Sequence, residues 1–208
     1  MGQIKVNCAR VGAIGTNCYI VGTEASKEIV VIDPGDNAQL IGNYIENNGL
    51  ELKAILLTHA HFDHIGGVPE LKERFAVPVY VHELDEPMLA DKRKNMGMTE
   101  YKLRDDDVRL KDGDVINIAG MEFEVIHTPG HTPGGVCYYI KSENVLFAGD
   151  TMFRFSYGRT DFPGGSFTDL MKSIKEKLLP LPEETTVYPG HEGATNIANE
   201  RITHDYNA

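Results

Sequence analysis

The chain has 208 residues, of which 41% are hydrophobic and 25% are charged, a composition typical of a globular protein in water. Its 31 acidic and 20 basic residues give a formal net charge of -11, which argues against nucleic acid as a partner. No apolar run has the length of a membrane span, and the N-terminus lacks the apolar segment of a secretory signal. We therefore expect a protein with neither a membrane nor a nucleic-acid partner.

The first half of the chain is predicted to begin with a hairpin and then to alternate strands with helices. Strand-like residues 3–11 and 17–22 flank a Gly-Ala-Ile-Gly turn and predict a β-hairpin. Apolar periodicity then predicts three strands and two helices, in chain order a strand at 28–32, a helix at 37–47, a strand at 52–57, a helix at 69–75 and a strand at 77–81. The charged stretch 83–113 is interpreted as a solvated helix and loop, with a lid or pocket rim as the alternative.

The second half is richer in predicted strands. Ser166 and Asp169 predict a capped helix over 167–179. The other predicted elements are strands at 115–118, 121–126, 136–140, 145–148 and 185–188 and a helix at 194–204. No Pro- or Ser-rich linker divides the halves, so we predict one domain over 1–208. Its predicted class is α/β (α+β), with two sheets packed face to face and helices outside.

Cysteines and isolated histidines give weaker predictions. Cys8, Cys18 and Cys137 lie in strand-like surroundings, and we interpret them as reduced core residues of a cytoplasmic protein. Three histidines lack the sequence context of a ligand and are predicted to be structural: His82, His127 and His204.

The segment 58–64 concentrates metal-binding side chains after the predicted strand 52–57. His59, His61, Asp63 and His64 are four candidate ligands within six residues. Residues two apart in an extended chain point to the same face, so His59 and His61 can reach one ion together. This density of imidazole and carboxylate groups is typical of zinc chemistry and not of a polar surface loop.

Three later segments repeat the same order of an apolar strand, a turn and a candidate ligand. The ligands are His131, Asp150 and His191, and each follows a glycine that permits a tight turn. Seven ligands exceed the four that one tetrahedral zinc ion takes, but they fit two ions. We predict that His59, His61 and His131 hold one ion. Asp63, His64 and His191 would hold the other, with Asp150 bridging the two.

The motif at 58–64, together with 128–132, Gly149-Asp150 and Gly190-His191, resembles the metallo-β-lactamase fold superfamily. Within it, the chain is most similar to small, single-domain glyoxalase II-like hydrolases, a resemblance that includes the stretch 158–161. The resemblance implies a four-layer αββα sandwich and a binuclear site with the ligands given above. Zinc is the predicted metal, and the N/O donor set also suits iron or manganese.

Further residue roles follow from this resemblance. Asp33, at the end of its strand, is expected to orient a metal-bound histidine. Asp63 is expected to orient the attacking hydroxide, and Arg159 to contact a substrate carboxylate. A structural pair of Arg159 with Asp161 is an equally weighted alternative. Two departures matter: lactamases usually have Cys in place of Asp150, and the C-terminal glutathione-binding domain of full-length glyoxalase II has no counterpart here.

The predicted function is hydrolysis of a small thioester or ester, such as an acyl-glutathione or a related acyl thiol, by a metal-bridging hydroxide. The alternative enzyme is a persulfide dioxygenase of the same fold, which would use one iron held by His59, His131 and Asp150. A metal-holding structural module is disfavoured because seven ligands sharing two ions leave positions for water. The acidic charge disfavours an RNA-processing nuclease. The sequence makes no prediction of oligomeric state.

Overall fold

Two six-stranded sheets and their flanking helices form the fold, in a computed structural model that describes residues 3–205. The first sheet has its strands in the order β1-β2-β3-β4-β5-β6, and these are Ile4–Val11, Thr16–Thr23, Glu28–Ile32, Glu51–Leu56, Val79–His82 and Val108–Leu110. Strands β1 to β3 pair antiparallel, and β3 to β6 pair parallel.

The second sheet has the order β14-β13-β10-β9-β8-β7. In chain order its strands are β7 Val115–Ile118, β8 Met121–His127, β9 Val136–Ile140, β10 Val145–Gly149, β13 Thr186–Pro189 and β14 Thr195–Asn196. A separate two-stranded hairpin consists of β11, Met152–Phe153, and β12, Ser156–Tyr157. Within the second sheet only β10 and β13 pair parallel.

Helices cover the outer faces of both sheets. They are α1 Ala38–Asn47, α2 Phe62–Ile65, α3 Val68–Phe75, α4 Glu86–Leu89, α5 Phe167–Ser173 and α6 Ile197–Asp205. Helix α5 continues as a π-helical turn, Ile174–Leu178, and Ser166 caps its first turn by accepting a hydrogen bond from the Asp169 amide. None of the helices within residues 3–205 is long and apolar enough to cross a membrane.

Three apolar cores correspond to the three interfaces between these layers. Between the sheets, Phe123, Tyr138 and Phe147 pack with side chains of the first sheet. Helices α1 and α3 pack on the other face of the first sheet, and α5 and α6 pack on the other face of the second. Burial of apolar surface on both faces of each sheet stabilises the layered arrangement. The predicted αββα sandwich is confirmed.

The hairpin of β11 and β12 and the short helix α2 were not predicted, and the structure differs from the predictions at three further places. Strand β6 was not predicted, because it is short and follows a run of charged residues. The segment predicted as a helix over 194–204 begins with the short strand β14. Cys8 is exposed and not in the core, because β1 is an edge strand whose side chains are mostly exposed or half-buried. Cys18 and Cys137 are buried as predicted.

The segment 83–113 is packed against the domain. Tyr101 is buried and donates a hydrogen bond to Asp107, which also pairs with the buried Lys72 at 2.7 Å. The carbonyl oxygen of Asn95 accepts a hydrogen bond from the Phe62 amide at 2.8 Å. The segment 83–113 therefore holds the backbone at Phe62, the residue that follows His61.

Candidate metal centre

The seven predicted ligands lie at one edge of the sandwich, where strands from both sheets end. His59, His61, Asp63 and His64 occupy the loop after β4 and the short helix α2. The other three follow strands of the second sheet: His131 after β8, Asp150 after β10 and His191 after β13. The carboxyl ends of β4, β10 and β13 thus bring together side chains that are up to 132 residues apart in sequence (191 − 59 = 132).

His59, His61 and His131 form the first cluster, in which one ring nitrogen of each lies within 4.8 Å of the others. The Nδ1 atom of His61 is 2.9 Å from Nε2 of His131. All three rings are buried. Burial lowers the pKa of His61 to about 3 and the pKa of His59 well below its ordinary value. These two imidazoles are therefore neutral, with lone pairs available for a metal ion.

Asp63, His64 and His191 form the second cluster, with one ligand atom of each again within 4.8 Å of the others. Oδ2 of Asp63 lies 3.3 Å from Nε2 of His64 and 3.2 Å from Nε2 of His191. Burial raises the pKa of Asp63, but His64 and His191 outweigh it and hold this pKa well below its usual range. Asp63 is therefore a carboxylate, which is its metal-binding form.

Asp150 lies between the two clusters. Its Oδ1 is 3.3 Å from Nε2 of His64 in the second cluster, and its Oδ2 is 3.5 Å from Nε2 of His131 in the first. Oδ2 is also 3.6 Å from Nε2 of His191. A carboxylate that faces both clusters has the position expected of a bridging ligand.

The donor set fits divalent metal ions. Four buried atoms of these side chains have no hydrogen-bond partner among residues 3–205, and they are Nε2 of His59, Nε2 of His61, Nε2 of His64 and Oδ1 of Asp150. A buried polar atom without a partner costs about 1–3 kcal/mol, so four such atoms in one place indicate a cation-binding site. Imidazole and carboxylate donors suit zinc, iron or manganese.

Asp33 contacts His64, as predicted for a residue that orients a metal ligand. Its Oδ2 lies 2.9 Å from Nδ1 of His64 and accepts a hydrogen bond from the Thr58 hydroxyl. Its Oδ1 accepts a hydrogen bond from the Thr58 amide. When Nδ1 of His64 carries the proton and donates it to this carboxylate, Nε2 keeps a free lone pair. That lone pair is then available to the metal ion of the second cluster.

The loop that carries His191 is held by strand β2. The Asn17 amide donates to the carbonyl oxygen of Gly190 at 2.7 Å, and the Asn17 side chain donates to the carbonyl oxygens of Pro189 and Glu192. The Tyr19 hydroxyl donates to Pro189 at 2.6 Å. The first hairpin of the chain therefore fixes its last candidate ligand.

An open cavity of about 530 Å³ gives access to both clusters. Its walls are largely apolar and are formed by Ile14, Phe62, Phe153, Tyr157 and Phe162. Arg159 is the one Lys or Arg among the described residues that line it. The cavity is large enough for a small molecule and reaches Asp63, Asp150 and His191, so the candidate ligands are accessible to a substrate.

Arg159 is bound to its own loop. Its Nε and Nη2 donate to the two carboxylate oxygens of Asp161, each at 2.7 Å, and its guanidinium lies 3.8 Å from the centre of the Phe162 ring. This hydrogen bonding lowers the pKa of Asp161 to about 2, so Asp161 stays charged. The Arg159 backbone has a second contact, since its carbonyl oxygen lies 2.7 Å from Nδ1 of His131.

The comparisons with known proteins place this site in a family. Residues 11–191 match the sequence profile described as Metallo-beta-lactamase superfamily, and this span contains all seven candidate ligands. The chain belongs to the metallo-β-lactamase superfamily.

Relatives in this superfamily include proteins with hydrolase names. The chain is 40% identical to a probable metallo-hydrolase, YqgX, from Bacillus subtilis, over 92% of each protein. It is 34% identical to the hydroxyacylglutathione hydrolase GloC of Haemophilus influenzae, over 98% of each protein. The chain is thus similar, over nearly its whole length, to members of the superfamily that are named as hydrolases.

Solved structures from the superfamily match the whole fold. The BLEG-1 B3 metallo-beta-lactamase has a TM-score of 0.90 at 39% identity, covering 97% of this chain and 99% of the other. A di-iron-bound form of TTHA1623 has a TM-score of 0.84 at 39% identity, covering 97% and 100%. ETHE1 from Myxococcus xanthus has a TM-score of 0.80 at 28% identity, covering 96% and 83%.

The three glycines that precede ligands serve two different purposes. Gly130 and Gly149 have φ angles of +137° and +49°, which favour glycine as the sequence predicted. Gly190 is required for another reason: a Cβ atom there would lie 2.1 Å from Oδ1 of Asp150 and 2.8 Å from Cε1 of His64. Close packing against two ligands, and not the φ angle, explains this glycine.

We expect the substitution Gly190→Ala to displace Asp150 and His64 and to weaken metal binding by at least about tenfold. Metal content after dialysis against graded chelator would measure this change. Gly193→Ala is the matched control in the same loop, because a Cβ atom there would meet nothing within 4 Å. Equal metal retention by the two variants would contradict the steric explanation.

Several residues of the site were not predicted. The Thr16 hydroxyl donates to Oδ2 of Asp63 at 2.9 Å from the start of β2. The Arg159 carbonyl faces His131, and buried Asp85 lies between two ligand loops. Neither a hydroxyl 47 residues away nor a backbone carbonyl leaves a signal in a single sequence.

The three histidines predicted to be structural lie outside the clusters. His82 and His127 stack on each other, with their ring centres 4.1 Å apart. His204 lies in α6, with Nε2 3.5 Å from the carboxylate of Glu200. None of the three is in a described metal-ligand group.

Proposed function

We propose that this chain is a metal-dependent hydrolase of small thioesters or esters, with two divalent ions held by the seven ligands. The observation that carries the proposal is the position of Asp150, whose two oxygens face the two clusters at the base of an open cavity. The relative named hydroxyacylglutathione hydrolase supports an acyl-glutathione or a related acyl thiol as substrate. We propose zinc as the metal, with iron or manganese as alternatives.

Paired divalent ions would supply a Lewis acid for the acyl oxygen and would acidify a water molecule for attack. The residues of the chain have complementary tasks. Asp63 lines the cavity as a carboxylate fixed by the Thr16 hydroxyl, so it can accept a hydrogen bond from the attacking water and orient it. The apolar walls would bind the acyl group and limit competing water.

The proposed partner is a small-molecule substrate. The formal charge of -11 supports the absence of a nucleic-acid partner. Cys8, Cys18 and Cys137 are unpaired, which supports a cytoplasmic location, where thiols stay reduced.

A panel of three substrates tests the proposed reaction. Lactoylglutathione or another acyl thioester should be hydrolysed, a chromogenic cephalosporin should be hydrolysed far more slowly, and glutathione persulfide should cause no oxygen consumption. The cephalosporin is included because a B3 lactamase is among the structural neighbours. Failure of the metal-loaded protein on every thioester and ester, with activity on either other substrate, would refute the proposal.

Persulfide dioxygenase is the second candidate function. Its expected ligands are all at the site: Nε2 of His131 lies 3.5 Å from Oδ2 of Asp150, and His59 belongs to a ligand group with Asp150. The di-iron form of TTHA1623, a chain 39% identical to this one, supports the capacity of the scaffold for iron. Oxygen uptake with a persulfide distinguishes this function from hydrolysis.

We expect Arg159→Ala to reduce kcat/KM for carboxylate-bearing thioesters by about tenfold to a hundredfold, mainly through KM. The reason is the loss of the only Lys or Arg among the described cavity residues. The measurement compares an acyl-glutathione with an uncharged thioester of the same acyl group.

Asp161→Asn is the matched control for Arg159. Asp161 competes with a substrate carboxylate for the guanidinium, so its removal should preserve or improve binding of the charged thioester. If Arg159 instead braces the loop, both variants lose activity on charged and uncharged thioesters alike, and the melting temperature of both falls.

A further inference from the structure

Asp85 is a fully buried carboxylate between the two loops that carry the first cluster. It lies between β5 and α4. Its Oδ2 accepts hydrogen bonds from the Ala60 amide and the Thr132 hydroxyl, each at 2.9 Å. Its Oδ1 accepts a hydrogen bond from the Gly134 amide at 2.6 Å.

Two of these three donors are directly next to ligands in the chain. Ala60 lies between His59 and His61, and Thr132 directly follows His131. One rigid carboxylate therefore joins the backbone that carries two imidazoles to the loop that carries the third. The distance between these loops sets the separation of the ring nitrogens in the first cluster.

Asp33 has the corresponding position for the second cluster. It accepts hydrogen bonds from the amide and hydroxyl of Thr58 and contacts Nδ1 of His64. The hydrogen bonds described for Asp85 reach the loops of the first cluster. Asp33 contacts His64 of the second cluster directly, and it also accepts from Thr58, whose hydroxyl lies 3.2 Å from Nδ1 of His59. Of these two buried carboxylates, Asp33 is the one that contacts a ligand ring of the second cluster, whereas the described hydrogen bonds of Asp85 go to Ala60 and to the loop of His131.

We propose that Asp85 is a positioning residue specific to the first cluster, which sets the spacing of His59 and His61 from His131 and thereby the metal affinity of that cluster. This inference rests on the proposed function only in requiring that both clusters bind metal.

An amide cannot replace this carboxylate. Both oxygens of Asp85 face donors, and two of these donors are backbone N–H groups that cannot turn away. The amide group of Asn has one oxygen and one NH₂, so in either orientation the NH₂ meets a backbone N–H group. The substitution Asp85→Asn keeps the size of the side chain but forces the two loops apart.

The experiment compares Asp85→Asn with Asp33→Asn in the full chain. Each protein is stripped of metal and titrated with cobalt against a competing chelator. The visible absorption of cobalt and the paramagnetically shifted proton signals of the imidazole rings report binding. We expect Asp85→Asn to weaken one site by about 10- to 100-fold, with loss of the three imidazole signals of the first cluster. The two imidazole signals of the second cluster should remain. Asp33→Asn should instead lose the His64 signal of the second cluster.

Thr132→Val provides a second variant, since it removes one hydrogen bond and leaves Asp85 in place. Thr132→Val should weaken cobalt binding at the first cluster by less than Asp85→Asn does. If Asp85→Asn does not fold, Thr132→Val still tests the inference. Wild-type cobalt affinity at both sites in Asp85→Asn would overturn the inference while leaving the proposed function intact. Equal weakening of both sites would also overturn it. A wild-type protein that binds no cobalt would overturn the proposed function itself.

Discussion

Complete removal of metal should abolish thioester hydrolysis and lower the melting temperature of the protein. The candidate ligands come from both sheets, so bound ions would hold together the edge of the sandwich. Four buried ligand atoms would also lose their partners. Metal present at about a thousand times its Kd stabilises a folded protein by about 4 kcal/mol, which corresponds to about 8–16 °C in a chain of this size.

Calorimetry and activity assays on the same stripped sample would measure both effects, with metal content determined in parallel. Reloading with zinc, iron or manganese separately should restore activity and stability together, and two ions per chain are expected. Full activity in protein that holds no transition metal would be incompatible with the proposal. A stoichiometry near one iron, with oxygen uptake on persulfide, would favour the dioxygenase.

Asp150→Ala should lose more activity than His191→Ala. Asp150 faces both clusters, and its removal takes away a negative charge that would offset two cations. His191 contributes to the second cluster alone. Loss of a residue that merely orients a ligand costs about 10- to 100-fold, so loss of a shared ligand should cost at least about a hundredfold in kcat/KM.

The measurement is kcat/KM together with metal content for the two variants. Asp105→Ala is the control, since its side chain is exposed in a turn remote from the cluster residues in sequence, and it should retain wild-type activity. Equal residual activity and equal metal content in Asp150→Ala and His191→Ala would mean that Asp150 does not bridge.

The convergence of the seven candidate ligands could be predicted because each candidate has a local sequence signal. His59 and His61 share a face by spacing alone, and Asp150 follows a strand and a glycine. The layer order could be predicted because strand and helix periodicity recur in both halves of the chain.

The supporting contacts could not be predicted from one sequence. Thr16 reaches Asp63 across 47 residues, and Asp85 meets Thr132 across another 47. The first contact depends on the strand order within the first sheet and the second on how the two sheets are superimposed, and periodicity specifies neither. The prediction that Cys8 lies in the core was wrong for a related reason. The residues of a strand do not reveal whether that strand lies at the edge of its sheet.

The attachment of the His191 loop to β2 has a consequence for biosynthesis. Asn17 and Tyr19 leave the ribosome early, but their partner Pro189 lies 172 and 170 residues later. Such distant contacts form only after the intervening chain is available, and they slow folding. The nascent chain therefore carries the histidines of 59–64 before the loop of His191 has been made, and the candidate site can be completed only after that loop is synthesised.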